Sequence, residues 1–343
     1  MKSIASRRAF LTAGALASVA LATGLAPASA FAQSSGLVDV KFVISHRSAL
    51  LTSLPSYLAE FDAPAGLGLF KKHGVKVDFT EGSGGGSTLR LLSTGDVDIA
   101  EGGAPAAYMA ARVDPNVELV GGWSNSASVM VWIAPKSAHI KSVQDLSGKK
   151  LGYSGAGSAS QYLIKNSTEL AGVKNVQFVA LSGMGDNWTA SKAGVVTAGW
   201  AMEPFLSSKL LHEDAQIVLA PGEYIKHFYL EGIDVNKKFA QAHPEAVKGV
   251  FQALYEAVQF IEKNPEKAAD MATKFFPNTP REVLASGISN YLKIGAWNMK
   301  VDPDGYRANV KGMVADGQIK EAFDIGKLLN QSYWPESLRT SFE

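Results

Sequence analysis

The chain has 343 residues, 46% of them hydrophobic, which is more than one ordinary domain holds and enough for two buried cores. Its net charge of +1 offers no basic surface for nucleic acid. The absence of cysteine excludes disulfides, thiolate catalysis, Cys-ligated zinc, iron–sulfur clusters and a lipid-modified N-terminal cysteine.

Ser6-Arg7-Arg8-Ala9-Phe10-Leu11 matches the twin-arginine export pattern. An apolar run over 13–25 follows, and then two small-x-small sites, Ala28-Ser29-Ala30 and Ala30-Phe31-Ala32. Residues 1–32 are read as a signal peptide for the Tat export machinery, removed before Phe31 or Gln33. The apolar run is too short for a membrane span, and the mature chain is expected in the periplasm, soluble and monomeric.

The mature chain opens with a strand, Val38-Asp39-Val40-Lys41-Phe42-Val43-Ile44. Ser45-His46-Arg47-Ser48 follows at its carboxyl end, where ligands sit in open α/β sheets. Arg47 reads either as a fork for a carboxylate or sulfonate or as a solvated loop charge. Residues 54–70 read as helical with a break near Asp62-Ala63-Pro64-Ala65-Gly66, and 75–80 as a strand. Ser83-Gly84-Gly85-Gly86-Ser87 then leads into a short helix that carries Leu89 and Leu92 and stops at Gly95. A strand over 97–100 and Glu101-Gly102-Gly103-Ala104-Pro105 follow, with Pro105 suited to the first turn of the next helix.

Strands are expected at 117–121, 129–134 and 151–153. Ser154-Gly155-Ala156-Gly157-Ser158 repeats the earlier pattern of strand, small-residue loop and helix start, and Ser158 reads as the N-cap of a helix over 159–171. A strand over 176–181 ends in the loop Ser182-Gly183-Met184-Gly185-Asp186-Asn187-Trp188. Strands over 195–202 and 217–220 and an extended run over 225–232 complete this set. From Val235 the chain turns helical, with apolar spacing near 3.6 over 244–263, 265–276, 280–292 and 306–316.

Small residues let a ligand approach the backbone, and bare helix starts offer N–H donors to an anion. The strand-end loops bring His46, Arg47, Ser83, Gly85, Ser87, Glu101, Ala104, Trp132, Ser154, Gly157, Ser158, Asn187, Trp188 and Glu203 toward one crevice. Trp132, Trp188, Tyr108 and Tyr153 read either as walls for an apolar body or as core. Glu101 and Glu203 suit an amine or a ring hydrogen bond, and Glu203 before Pro204 equally suits support of its helix N-terminus. No G-x-S-x-G, no H-E-x-x-H and no complete G-x-G-x-x-G occurs, so no catalytic residue, metal or cofactor is assigned. Asp302-Pro303-Asp304-Gly305 reads as a turn rather than a calcium loop.

Several segments as a set resemble periplasmic solute-binding proteins of the nitrate/sulfonate/taurine type, related to thiamine-pyrimidine-binding proteins. They are residues 68–77 (GLFKKHGVKV), 91–100 (LLSTGDVDIA), 140–152 (IKSVQDLSGKKLG) and 193–204 (AGVVTAGWAMEP). The resemblance covers roughly 38–270. It implies a two-lobed α/β fold of the type II-like periplasmic-binding-protein class, with a hinge cleft and a helical C-terminal segment. Lobe I would hold 38–126 and 231–343, and lobe II 127–230. It also implies a small organic anion or zwitterion as ligand and an ABC-transporter membrane permease as partner. Alternatives are a thiamine-pyrimidine-type precursor as ligand, or a periplasmic cofactor-dependent enzyme exported folded. The family usually carries Asp where this chain has Thr197, and its 48–68 stretch is shorter, so ligand identity does not carry over.

Overall fold

A computed structural model describes residues 36–44, 50–60, 66–82, 85–315 and 317–342. The expected export signal lies outside the described residues, as do Ser45, His46, Arg47 and Ser83.

The first half builds one sheet. Strand β1 (Val38–Ile44) leads through a 3-10 turn at Leu51–Ser53 into α1 (Leu54–Glu60) and α2 (Leu69–Lys72). Strand β2 (Val75–Glu81), α3 (Gly85–Thr94), β3 (Ile99–Gly103), α4 (Ala104–Val113) and β4 (Val117–Leu119) follow. Gly95 ends α3 at φ +79°, a left-handed conformation that glycine takes without steric cost. Pro105 lies in the first turn of α4, where its missing N–H is not needed.

The chain then builds a second sheet from β5 (Val131–Pro135), β6 (Lys150–Tyr153), β7 (Gln177–Ala180), β8 (Gly199–Ala201) and β9 (Ala215–Leu219). Its helices are α5 (Ala159–Leu170), α6 (Met184–Lys192) and α7 (Phe205–His212). Ser158 caps α5, its Oγ accepting from Gln161 N at 3.2 Å. Residues 184–188, expected as loop, instead open α6. Its small and polar residues give little apolar period, yet it buries Asn187, Trp188 and Ser191.

Strand β10 (Glu231–Asn236) returns to the first sheet. The extended run expected at 225–232 thus pairs as a strand only from Glu231, and Asn236 caps α8 (Lys237–Ala242). Helices α9 (Pro244–Lys263), α10 (Pro265–Ala272), α11 (Arg281–Ile294) and α12 (Pro303–Ala315) follow.

The first sheet has the order β2-β1-β3-β10-β4, with β1 parallel to β2 and β3 and β10 antiparallel to its neighbours. In the second, β5 lies antiparallel between β8 and β9, and β6 runs parallel to β7. A parallel bridge from Leu151 to Ala198 joins these two groups, with Gly152 N donating to Ala198 O at 2.8 Å. The chain passes from one sheet to the other over 120–130 and back over 220–230.

Helix α9 anchors the main core. Val247, Val250, Phe251, Leu254 and Ile261 form one fully buried stripe. Each such side chain contributes about 1.5–3 kcal/mol relative to exposure. Gly249 is required where α9 crosses the turn after α2, because a Cβ there would collide with His73 O. The C-terminal segment lies along β4: Asn330 N donates to Leu119 O at 2.8 Å and Trp334 Nε1 to Val120 O at 3.2 Å. This covers a sheet edge that would otherwise present free backbone groups.

Candidate functional site

The two crossings touch. Ser124 pairs with Glu231, with Ser124 N donating to Glu231 O at 3.1 Å and Leu230 N to Ser124 O at 2.9 Å. Gly121 and Gly122 enter the first crossing at φ +73° and +63°. A Cβ on Gly122 would collide with Met299 O, so both conformation and space demand glycine. Ala104 N, at the start of α4, donates to Leu230 O at 3.1 Å, tying that helix start to the second crossing.

An acidic pair sits at this junction. Glu101 on β3 is opposite Ile233, and Glu231 is opposite Gly103, so both side chains leave the same face with one pair between them. Both are buried. Ser53 Oγ donates to both Glu101 oxygens, at 2.8 and 3.1 Å. Burial, and then the charge of Glu231, raises the Glu101 carboxyl well above its usual range. Burial likewise lifts Glu231 to about 7, opposed by the nearby Thr52 hydroxyl. Sequence reading placed Glu101 in the crevice but missed Glu231, whose signal is a carboxylate inside the apolar run Phe228-Tyr229-Leu230-Glu231-Gly232.

The start of α5 is the second element. Ser154 Oγ, Ser158 Oγ and the buried Ser160 Oγ lie 2.7 and 2.9 Å apart in a chain, and Ser160 Oγ also accepts from Ser154 N at 2.9 Å. Gly157, at φ +75°, donates its N–H to Gln161 Oε1 at 2.6 Å. The first-turn N–H groups of α5 have no intrahelical acceptor, and the helix dipole is positive here. Tyr162 on α5 stacks on Phe228 of the second crossing with ring centroids 5.3 Å apart, so this helix packs against that crossing.

Four expected ligand contacts turn elsewhere. Trp132, in the central strand β5, is fully buried and donates its Nε1–H to Gly152 O at 2.6 Å. Trp188 is buried in a small cluster with Val131, Ile133 and Leu206 and donates its Nε1–H to Glu213 Oε2 at 2.7 Å. Glu213 is held down at about 2, chiefly by its bond to Lys209. Asn187 is wedged between two strands, where a Cβ on Gly152 would collide with its Oδ1. Its Nδ2 donates to Gly183 O at 2.9 Å.

Glu203 is the fourth. Its carboxylate accepts from Ser207 N at 3.0 Å, Ser207 Oγ at 3.0 Å and Asn290 Nδ2 at 2.9 Å. Burial raises its carboxyl, opposed by these bonds. It therefore serves the first turn of α7 and ties that helix to α11, the supporting role among the two weighed from sequence.

Of the remaining expected residues, Ala104, Ser154, Gly157 and Ser158 fall at the two helix starts just described, and Gly85 and Ser87 lie in the first turn of α3. Tyr108 is fully buried, stacked on Tyr229 at 6.1 Å. Among the described residues, His227, Asp302 and Asp304 place ligand-type atoms within 4.8 Å of one another. Asp302 there accepts from Asp304 N and meets His227 Nδ1, both at 3.1 Å, and so acts as the cap of α12.

A family model described as NMT1/THI5 like matches residues 57–268. A protein of Brucella abortus (strain 2308), named only as a binding protein, is 26% identical over 213 residues. That match spans 61% of this chain and 64% of the relative's length. Among solved structures, the aliphatic sulphonate binding protein SsuA of Escherichia coli matches at TM-score 0.71 and 19% identity, covering 89% of this chain and 96% of that one. The alkanesulfonate-binding protein SsuA of Xanthomonas axonopodis pv. citri, bound to MOPS, matches at 0.65 and 18%, covering 82% and 94%. The nitrate-binding protein NrtA of Synechocystis PCC 6803 matches at 0.68 and 14%, covering 87% of each chain. The paired α/β sheets and touching crossings are thus the fold of periplasmic binding proteins, and the chain belongs to the NMT1/THI5-like family.

Proposed function

We propose that this chain is the periplasmic substrate-binding component of an ABC importer. It captures a small organic anion or zwitterion, such as a sulfonate, taurine or an aromatic carboxylate, between its two sheets. Closure about the crossings buries the solute, and the closed form docks on the membrane permease. Residues 38–126 with 231–343 form one lobe and 127–230 the other. The protein reaches the periplasm through the Tat machinery, works as a monomer and turns nothing over.

The observation that carries this reading is the pair of touching crossings with the α5 start packed against them. A helix start offers an anion fixed N–H donors and a positive dipole end. The sulfonate and nitrate binders that share the fold support the choice of anion. The test is a thermal-shift screen of the chain from Gln33, stripped of bound solute, against sulfonates, taurine, nitrate and aromatic carboxylates. A solute at about a hundred times its dissociation constant adds roughly 2.7 kcal/mol of stability. A saturable shift with 1:1 stoichiometry and an unaltered solute is the expected result. Chemical conversion of the solute would refute the reading.

A further inference from the structure

The junction of the crossings holds polar groups that the protein itself leaves unused. Glu231 Oε2, Thr52 Oγ1 and Ser124 Oγ are buried and have no hydrogen-bond partner. Thr52 and Ser124 are fully buried, and Glu231 is 9% exposed. They come from three separate segments: the 3-10 turn after β1, the first crossing and the start of β10. Ser124 and Glu231 are bridge partners, so their side chains leave the same face. The Thr52 hydroxyl lies close enough to Glu231 to favour its charged form, although no bond of normal hydrogen-bond geometry joins them. Buried polar groups are nearly always paired, and three unpaired ones converging on one place call for an outside partner.

The chemistry of that partner follows from the atoms. A carboxylate oxygen accepts only, and each hydroxyl oxygen can accept while also carrying one O–H donor. Glu101 adds a second carboxyl on the same face. A sulfonate or carboxylate there would face the Glu231 carboxylate at close range. An N–H-rich cation would satisfy all three oxygens and relieve the burial of the carboxylate. The α5 start, whose N–H donors suit an anion, packs against the second crossing, so the two ends of a solute would be read by opposite chemistries.

We propose that Glu231, Thr52 and Ser124 form a donor-recognising subsite that binds an ammonium or amidinium group of the captured solute. This inference rests on the capture reading above and selects zwitterions within it. The acidic junction distinguishes a solute with a charged nitrogen from its nitrogen-free analogue.

The test uses matched pairs on the chain from Gln33: taurine against ethanesulfonate, and 4-(aminomethyl)benzoate against 4-methylbenzoate. Ethylammonium and benzamidine are run as lone cations. Affinity is read by calorimetry and melting temperature. The expected result is that the ammonium-bearing member of a pair binds at least tenfold tighter. Glu231→Gln should abolish that preference. Thr52→Val, which keeps shape and removes only the hydroxyl, should reduce the preference severalfold and serves if Glu231→Gln folds poorly.

Equal or tighter binding of the nitrogen-free member would overturn the subsite and leave capture of anions standing. Retention of the preference in both variants would also overturn it. Stabilisation by benzamidine or ethylammonium alone, lost in Glu231→Gln, would sustain the subsite while removing the anion from the capture reading. Absence of any shift from all six compounds would overturn the subsite along with this range of solutes.

Discussion

Asp234 offers a direct test of how burial sets this protein's pH dependence. It lies in β10, is 1% exposed, and faces the stacked pair Tyr229 and Tyr306. Its Oδ1 accepts from Val120 N at 3.2 Å, and its Oδ2 is buried without a partner. Burial raises the carboxyl from 3.8 to about 7 in the folded chain. Folded Asp234 therefore keeps its proton through a range in which the unfolded residue has lost it. The folded state binds more protons there, so stability is full below the unfolded value and falls as pH rises through about 7. Each unit is worth about 1.4 kcal/mol, so this residue alone removes about 3 kcal/mol between pH 5 and pH 8. Asp234→Asn keeps an acceptor for Val120 and cannot ionise. The assay is urea unfolding of both proteins at pH 5 and pH 8, followed by tryptophan fluorescence and compared at equal m. The variant should lose about 3 kcal/mol less than the parent between the two pH values. Glu101 and Glu231 titrate in both proteins and leave that difference unaffected. An identical pH slope in parent and variant would refute the argument that burial holds the Asp234 proton.

Three further outcomes are expected. Gly122→Ala forces a side chain into a left-handed backbone beside Met299 O, and should cost about 2–4 kcal/mol by urea unfolding; a cost below half a kcal/mol would mean the crossing adapts freely. Trp132→Phe strands the buried Gly152 carbonyl and should cost about 1–3 kcal/mol while solute affinity stays within twofold; a tenfold loss of affinity at unchanged stability would return Trp132 to the ligand wall. Ser158→Ala removes the cap of α5 and should cost about 1 kcal/mol. It should also weaken sulfonate binding severalfold by calorimetry, and unaltered affinity would place the anion away from this helix start.

Local chemistry made much of this chain legible. The 3.6-residue stripe of 244–263 and the proline at its head specify α9 from Pro244 to Lys263. Gly95 and Ser158 mark helix ends because only their own backbone and hydroxyl are needed to do so. The repeated motif of strand, small-residue loop and helix start marks where bare N–H groups gather, because that geometry is written within a dozen residues.

Direction and partnership were not legible. Trp188, Trp132 and Glu203 have the residue types of a ligand site, but each is claimed by a group distant in sequence: Glu213, Gly152 and Asn290, joined only when strands and helices pack. Asn187 donates back to Gly183 O within its own helix start, and packing places it against Gly152. Glu231 is the converse. In sequence it is one acid in an apolar run, and its meaning arises only from register, which sets it beside Ser124 with one pair between it and Glu101. Sequence by itself determined most of the strands and helices and the helix ends marked by Gly95, Ser158 and Pro244, since those depend on neighbours along the chain. The tertiary structure alone decided which polar side chains remain unsatisfied where the crossings meet, because burial and hydrogen-bond partners depend on neighbours through space.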